Sequence, residues 1–216
     1  MSKKKLRSGP KGLEPSEIVK AALGLMEEEG PDAFSIRKLG ATFGCDPMAV
    51  LYHFKSKHGL ERAMADAINA EIKPVEASAS WRDRLTDLAF QYRGLALRYP
   101  RTFPLLMRFW ITGPADYHNA EMVFKALADA GLHDQEVVDT CFGLYASLLG
   151  LAAAETGGLL KPATPDIIAE IEDLPPTEFP MMAKLLPAFT DQQVGRAYET
   201  MVETILNGIE QMLAKP

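Results

Sequence analysis

The stretch from Ser35 to Lys57 leaves this chain little conformational choice. Ser35 has the short hydroxyl side chain of a helix N-cap, Ile36, Leu39 and Phe43 follow at helical spacing, and Gly44 carries the chemistry that stops a helix. Only Cys45 intervenes before Asp46, a second cap, which is followed by Pro47 at the favoured first helical position. Val50, Leu51 and Phe54 then supply one buried side of a third helix. Two helices this short cannot bury their own apolar faces separately. Joined by so tight a Gly-containing turn they must cross and share a bracing helix, which is the helix-turn-helix arrangement.

The flanking sequence provides the brace. Pro15 opens a helix in which Ile18, Ala21, Ala22, Leu25 and Met26 form one apolar stripe, ended by Gly30-Pro31. On the other side Ser56 caps a fourth helix with Leu60, Met64, Ala67 and Ile68 inward, broken at Pro74. The pattern then stays helical but lengthens: 81–99 behind the cap Ser80, a short helix within 100–110, 115–130, 134–157 and 191–213. Six prolines between Leu159 and Thr190 leave room only for short helices near 166–172 and 181–186. No alternating strand-like run occurs. The expected fold is all-α, with an N-terminal three-helix helix-turn-helix domain and a larger helical domain. The expected divisions are a basic flexible arm at 1–13, the helix-turn-helix at 14–56, a connecting helix at 57–73 and the larger domain at 74–216.

Composition narrows the class. A chain of 216 residues with 47% hydrophobic content can bury a core. Cys45 and Cys141 form no CxxC pair, no secretory leader is recognisable, and the longest apolar run, Leu144–Ala154, is too short for a membrane span, so a reduced, cytoplasmic protein without a membrane partner is expected. The net charge of −6 is unevenly spread. Residues 1–73 carry twelve Lys and Arg against ten Asp and Glu, whereas the rest carries eleven against nineteen. A basic N-terminal part suits a polyanionic partner that the remainder would repel.

A third helix with one buried side leaves the other free for the DNA major groove. Met48, Ala49, Tyr52, His53, Lys55 and Lys57 are the expected DNA-facing residues there, with Lys55, Lys57 and the helix start at Ser56 suited to phosphate. Ser35 and Arg37, at the start of the second helix, are expected to reach the backbone or a groove edge. The arm from Lys3 to Arg7 adds phosphate or minor-groove contacts.

The runs Ile18-Val-Lys-Ala-Ala-Leu, Phe34-Ser-Ile-Arg-Lys-Leu-Gly-Ala-Thr-Phe-Gly44 and Tyr52-His-Phe-Lys-Ser-Lys57 closely resemble the DNA-binding region of TetR-type transcriptional regulators, over about residues 14–68. The resemblance implies an all-helical homodimer that represses transcription at a double-stranded DNA operator. It implies a divergent C-terminal domain whose cavity binds a small-molecule effector, and a dimer built from the last two long helices, here 134–157 and 191–213. One position departs from the pattern. Leu51 stands where such proteins carry a phosphate-contacting tyrosine, and Tyr52 is displaced by one residue, about 100° of helix rotation. Tyr52 either takes over that contact or reads a base.

In the larger domain Phe103, Met107, Trp110, Tyr117, Phe124, Phe142 and Tyr145 are the expected lining of a mainly apolar ligand cavity, though aromatics at this spacing also suit a plain core. His118, Asn119, Thr140 and Glu155 are the polar groups nearby that can orient a ligand. His118 and His133 stand apart from any metal-spaced set, and neither a metal nor another cofactor is expected. No GxSxG, HExxH, P-loop or GxGxxG motif occurs, so an enzyme is not expected. A helix-turn-helix regulator without a small-molecule effector, acting through a protein partner, is the alternative.

Overall fold

The computed structural model describes residues 14–214, and every regular element among them is helical. The basic arm lies outside the described residues. Among the described residues ten α-helices occur: α1 (Pro15–Glu29), α2 (Ile36–Thr42), α3 (Pro47–Phe54), α4 (Lys57–Asn69), α5 (Trp81–Arg98), α6 (Pro114–Ala130), α7 (Asp134–Gly157), α8 (Pro165–Glu172), α9 (Pro180–Thr190) and α10 (Arg196–Leu213). A 3₁₀ helix, Phe103–Arg108, follows α5. The chain divides into two compact units, one running to Leu149 and one beginning at Gly150.

In the first unit α1 to α4 close around Ile18, Ala22, Met26, Leu39, Val50, Leu60 and Met64, all almost fully buried. Leu105, from the 3₁₀ helix, joins the same cluster. The N-terminal helices therefore share a core with the segment after α5. A second link is polar. The Arg101 guanidinium donates to the carbonyls of Glu27 (3.0 Å) and Glu28 (2.6 Å), and the backbone N–H groups of Arg101 and Thr102 donate to the Glu27 carboxylate. A cation over the last carbonyls of α1 satisfies groups that a helix C-terminus otherwise leaves open.

Several lengths differ from expectation. α4 stops at Asn69, several residues short of Pro74, and Gln91 of α5 brackets the following turn by accepting from the Lys73 N–H and donating to its carbonyl. The segment expected as a short helix in 100–110 is a 3₁₀ turn, and α9 continues through Pro187 to Thr190. α8 and α9 pack on each other, yet neither has a buried residue. In α10 the buried stripe is Tyr198, Val202, Leu206 and Ile209, and Met201 and Met212 stay exposed. The apolar run in α7 belongs to a 24-residue helix whose most apolar window has mean hydropathy 1.6, long and apolar enough to cross a membrane by those measures alone. Val137, Cys141, Leu144 and Leu148 of that helix are nonetheless buried against protein.

Candidate functional site

The helix-turn-helix is assembled as its caps dictate. Ser35 Oγ accepts from the Lys38 N–H (3.3 Å), Asp46 Oδ1 from Met48 (2.8 Å) and Ser56 Oγ from Gly59 (3.0 Å). The Cys45 N–H reaches back to the Gly40 carbonyl at 3.0 Å, closing the turn between α2 and α3. Val50 is fully buried, while Leu51 and Phe54 are half-buried on the same side. Met48 and Tyr52 project outward, 70% and 73% exposed, and His53 beside them meets the Tyr52 ring edge-on at 5.5 Å. Arg37, Lys55 and Lys57 are also exposed; Ala49 and Ser35 are half-buried. Lys57 is already engaged, its Nζ 3.7 Å from Glu61 and 5.6 Å from the centre of the Phe34 ring.

Gly59 is a determinant that the motif alone conceals. A Cβ there would lie 2.1 Å from the Phe54 carbonyl oxygen, so only glycine lets α4 start so close to the end of α3. Lys55 bridges the two in the left-handed conformation (φ 64°), its N–H donating to Leu51 O at 2.7 Å.

A cavity of about 780 Å³ lies in the same unit, between α4, α5, the 108–111 segment, α6 and α7. Met107, Trp110, Tyr117, Phe124, Phe142 and Tyr145 line it as expected from the sequence. Phe103 does not: it is fully buried at the start of the 3₁₀ helix and belongs to the core. Trp110 and Phe142 stack at 5.9 Å with 28° between their planes, and Trp110 is 80% exposed. Of the polar candidates, His118, Asn119, Thr140 and Glu155 are absent from the wall. Asn69, Tyr92 and Asp116, which the sequence reading did not single out, take that place.

These three belong to one buried polar network. The Tyr92 hydroxyl lies 3.4 Å from both Asn69 Oδ1 and the Tyr145 hydroxyl, and Asn119 Nδ2 donates to it at 3.3 Å. A phenol has a single proton. The Tyr92 proton therefore goes to Asn69 Oδ1 or to the Tyr145 oxygen, and Tyr145 keeps acceptor capacity on its own oxygen in either case. Burial raises the pKa of both tyrosines, and the Cys141 thiol, buried in the same wall, is pushed up to about 12. Asp116 Oδ2 accepts from the Thr112 N–H at 2.8 Å. Burial, and then the neighbouring carboxylate of Asp66, raise its pKa against the opposing bonds from Thr112.

One face of α4 is joined to the cavity wall along its length. The His58 ring lies 4.9 Å from that of Phe109, Glu61 pairs with Arg108 at 3.2 Å, and Arg62 Nε donates to Ile111 O at 3.1 Å. Further along, Asp66 accepts from the Thr112 hydroxyl (3.2 Å) and the Ala115 N–H (3.1 Å). Asn69 Nδ2 donates to Thr112 Oγ1 at 3.0 Å, and Asn119 returns a bond to Asn69 O. Asp66 thereby caps α6, which has no cap of its own. A Cβ at Gly113 would come within 2.6 Å of the Asp66 carboxylate, so that close approach again depends on glycine. Buried Glu61 holds Arg108 of the cavity wall with one oxygen and Lys57, at the end of the helix-turn-helix, with the other.

The chain matches two family descriptions, "Bacterial regulatory proteins, tetR family" over residues 18–64 and "Tetracyclin repressor-like, C-terminal domain" over residues 73–213. A curated HTH-type transcriptional regulator of Saccharopolyspora erythraea is 28% identical over 145 residues; that alignment covers 67% of this chain but only 61% of the relative. The class A tetracycline repressor of Escherichia coli is 25% identical over 205 residues, covering 91% of this chain and 90% of the relative. Among solved structures, the Streptomyces coelicolor TetR family protein ActR in complex with (S)-DNPA superposes with a TM-score of 0.83 at 21% identity, over 94% of this chain and 99% of that one, a likeness of fold. Because these two matches together take in the helix-turn-helix, α4 and nearly all that follows, the protein belongs to the TetR family of bacterial transcriptional regulators and is not an enzyme.

Proposed function

We propose that the protein is a ligand-responsive repressor that leaves a palindromic double-stranded DNA operator when a small, mainly apolar molecule enters its cavity. The observation that carries this reading is the unbroken series of contacts by which α4 joins the cavity wall at Arg108–Ala115 to the start of the helix-turn-helix exit at Lys57. A ligand that favours a different placement of that wall must shift α4, and α3 follows because Gly59 seats α4 directly on the Phe54 carbonyl. The functional divisions are then 14–56 for DNA, 57–73 for coupling and 74–216 for effector and dimer, with 1–13 as an additional DNA-contacting arm.

At the operator, α3 is the recognition helix. Tyr52, Met48 and Ala49 face base edges, with His53, Lys55, Lys57, Arg37 and Ser35 toward the phosphates. A homodimer formed through α7 and α10 holds the two copies of α3 about 34–36 Å apart, one turn of DNA. Val138 on α7, and Met201 and Met212 on α10, are exposed apolar side chains available to such a pairing. A ligand that binds the splayed dimer more tightly than the operator-competent one then lowers DNA affinity by linkage. A cytoplasmic location follows from the DNA target. The cavity supports a small-molecule effector over a purely protein-mediated regulator, since a domain that worked only through a partner has no need of one.

The test is selection of bound fragments from genomic DNA, followed by titration of the selected operator at fixed salt. Tyr52→Ala and Lys57→Ala are expected to weaken binding without changing dimer mass by light scattering. Unchanged affinity in both variants would refute the placement of α3 on DNA.

A further inference from the structure

We infer that the cavity takes a planar aromatic ligand that presents a protonated amine or a neutral hydroxyl donor to Asp116 and Tyr145, and that it turns anionic ligands away. This rests on the proposed role of the cavity as the effector site and names the chemistry it selects.

The shape comes from the walls. Trp110 and Phe142 form one stacked aromatic surface, and Tyr117, Phe124 and Phe109 add further ring area. Rings of this kind favour a flat π-system over a branched aliphatic one, and their faces attract cations. The selectivity comes from which polar groups are already committed. One guanidinium and two carboxyl side chains line the cavity: Arg108, Asp116 and Glu121. The Arg108 guanidinium is held by Glu61, and Glu121 is paired with Lys125 at 3.3 Å. Asp116 is bonded to Thr112 on one oxygen, and the charge that acts on it is another carboxylate, Asp66. One carboxylate thus stands in the wall without a compensating cation.

The neutral groups lean the same way. Asn69 spends both amide functions on Tyr92 and Thr112, and Asn119 spends its amide hydrogens on Asn69 O and Tyr92. The Tyr145 hydroxyl lies 3.4 Å from that of Tyr92 and keeps lone-pair capacity for a ligand. The Asn69–Tyr92–Tyr145 floor therefore leaves lone pairs for a ligand, while the donors of the wall, the Trp110 indole N–H, the Tyr117 hydroxyl and the remaining Arg108 N–H groups, sit on its exposed side chains. A carboxylate or phosphate entering it would lose its hydration and meet a like charge, whereas an ammonium or hydroxyl finds partners.

Three probes on one ring system separate these outcomes: 9-(aminomethyl)anthracene, 9-anthracenemethanol and anthracene-9-carboxylate, measured by fluorescence titration of the full-length protein without DNA. The amine is expected to bind at least about tenfold more tightly than the carboxylate, with the alcohol between them. Asp116→Asn keeps an acceptor for the Thr112 N–H and is expected to bring the amine-to-carboxylate ratio to within about threefold while leaving the alcohol nearly unchanged. Glu17→Gln, at an exposed carboxylate of α1 outside the wall, should leave the ratio intact. If D116N does not fold, wild type at falling pH answers the same question, because protonation of Asp116 should erase the amine preference against the alcohol as internal reference. Equal or tighter binding of the carboxylate, a ratio that D116N or acid leaves untouched, or no binding by any probe would overturn the inference. Adding operator DNA keeps the two readings apart. Amine binding in the expected order with no change in operator affinity defeats the effector role but not the ligand class. Operator release by an anionic compound, with none of the donor-bearing probes bound, does the reverse.

Discussion

Asp66→Ala tests the connection between cavity and DNA-binding helices at the joint where one side chain carries two bonds. The side chain accepts two hydrogen bonds across 46 and 49 residues of sequence, from Thr112 and Ala115, and the second is the N-cap bond that α6 cannot make for itself. Losing an N-cap costs about 1 kcal/mol. Removing a half-buried carboxylate from a helix N-terminus adds roughly 0.3–1 kcal/mol, and the Thr112 hydroxyl loses a neutral-to-charged partner worth about as much again, offset where Asn69 still engages it. The total is about 2 kcal/mol, which for a chain of this size lowers the melting temperature by about 4–8 °C. Thermal unfolding followed by circular dichroism gives that number directly. The functional consequence is separable from it. Helices α1 to α3 are untouched, so operator affinity without ligand should stay near wild type, while the change produced by saturating 9-(aminomethyl)anthracene should fall. Typical allosteric coupling is about 1–3 kcal/mol, a 5–150-fold change in affinity; in Asp66→Ala it should drop below about fivefold. Asp66→Asn, which keeps an acceptor for Ala115, should lie between. A variant that melts within about 1 °C of wild type and still answers the ligand in full would refute the assignment of this joint.

The remaining predictions concern other parts of the same path. Gly59→Ala places a Cβ 2.1 Å from Phe54 O, so the α3–α4 junction must open; about 1–3 kcal/mol of stability and most operator affinity should be lost, with probe binding in the cavity retained. Lys57→Ala should also reduce the slope of log affinity against log salt by about 0.9, the signature of one lost phosphate contact. Asp116 has its pKa raised by burial, so the folded state binds its proton more readily than the unfolded chain and its contribution to stability falls as pH rises through that raised value. Asp116→Asn should therefore melt at or above the wild-type temperature at pH 7 and lose that part of the pH dependence. Cys141, with its thiol pushed up to about 12, should resist iodoacetamide at pH 8.5 in the folded protein, whereas half-buried Cys45 is labelled first.

The helix-turn-helix was legible because each of its boundaries is written in local chemistry. Ser35, Asp46-Pro47 and Ser56 act within three residues of themselves, and their caps form where the spacing predicts. The aromatic lining was legible for a related reason: large side chains on consecutive helices around a shared space tend to meet, and six of the seven do. Phe103 fails because one turn decides the matter. It opens a 3₁₀ helix, whose tighter winding turns it into the core while Met107, four residues on, faces the cavity.

The polar half of the site was not legible, because nothing local distinguishes it. Asn69, Asp66 and Asp116 are ordinary helix-surface residues in sequence, and Tyr92 is one aromatic among several in α5. They acquire meaning only where α4, α5 and α6 converge, through bonds that span from 23 to 50 residues. Local signals did mark the place indirectly. Gly113-Pro114 opens α6 without a side-chain cap, which leaves the Ala115 N–H to be satisfied from elsewhere, and Gly59 and Gly113 are the two points where a Cβ would push α4 off its neighbours. A helix start that lacks its own acceptor demands one from another element, and here the demand falls on α4. The element that must satisfy α6 is the one that begins where the helix-turn-helix ends, so the same missing cap that ties the cavity wall to α4 also ties it to the surface proposed to meet DNA.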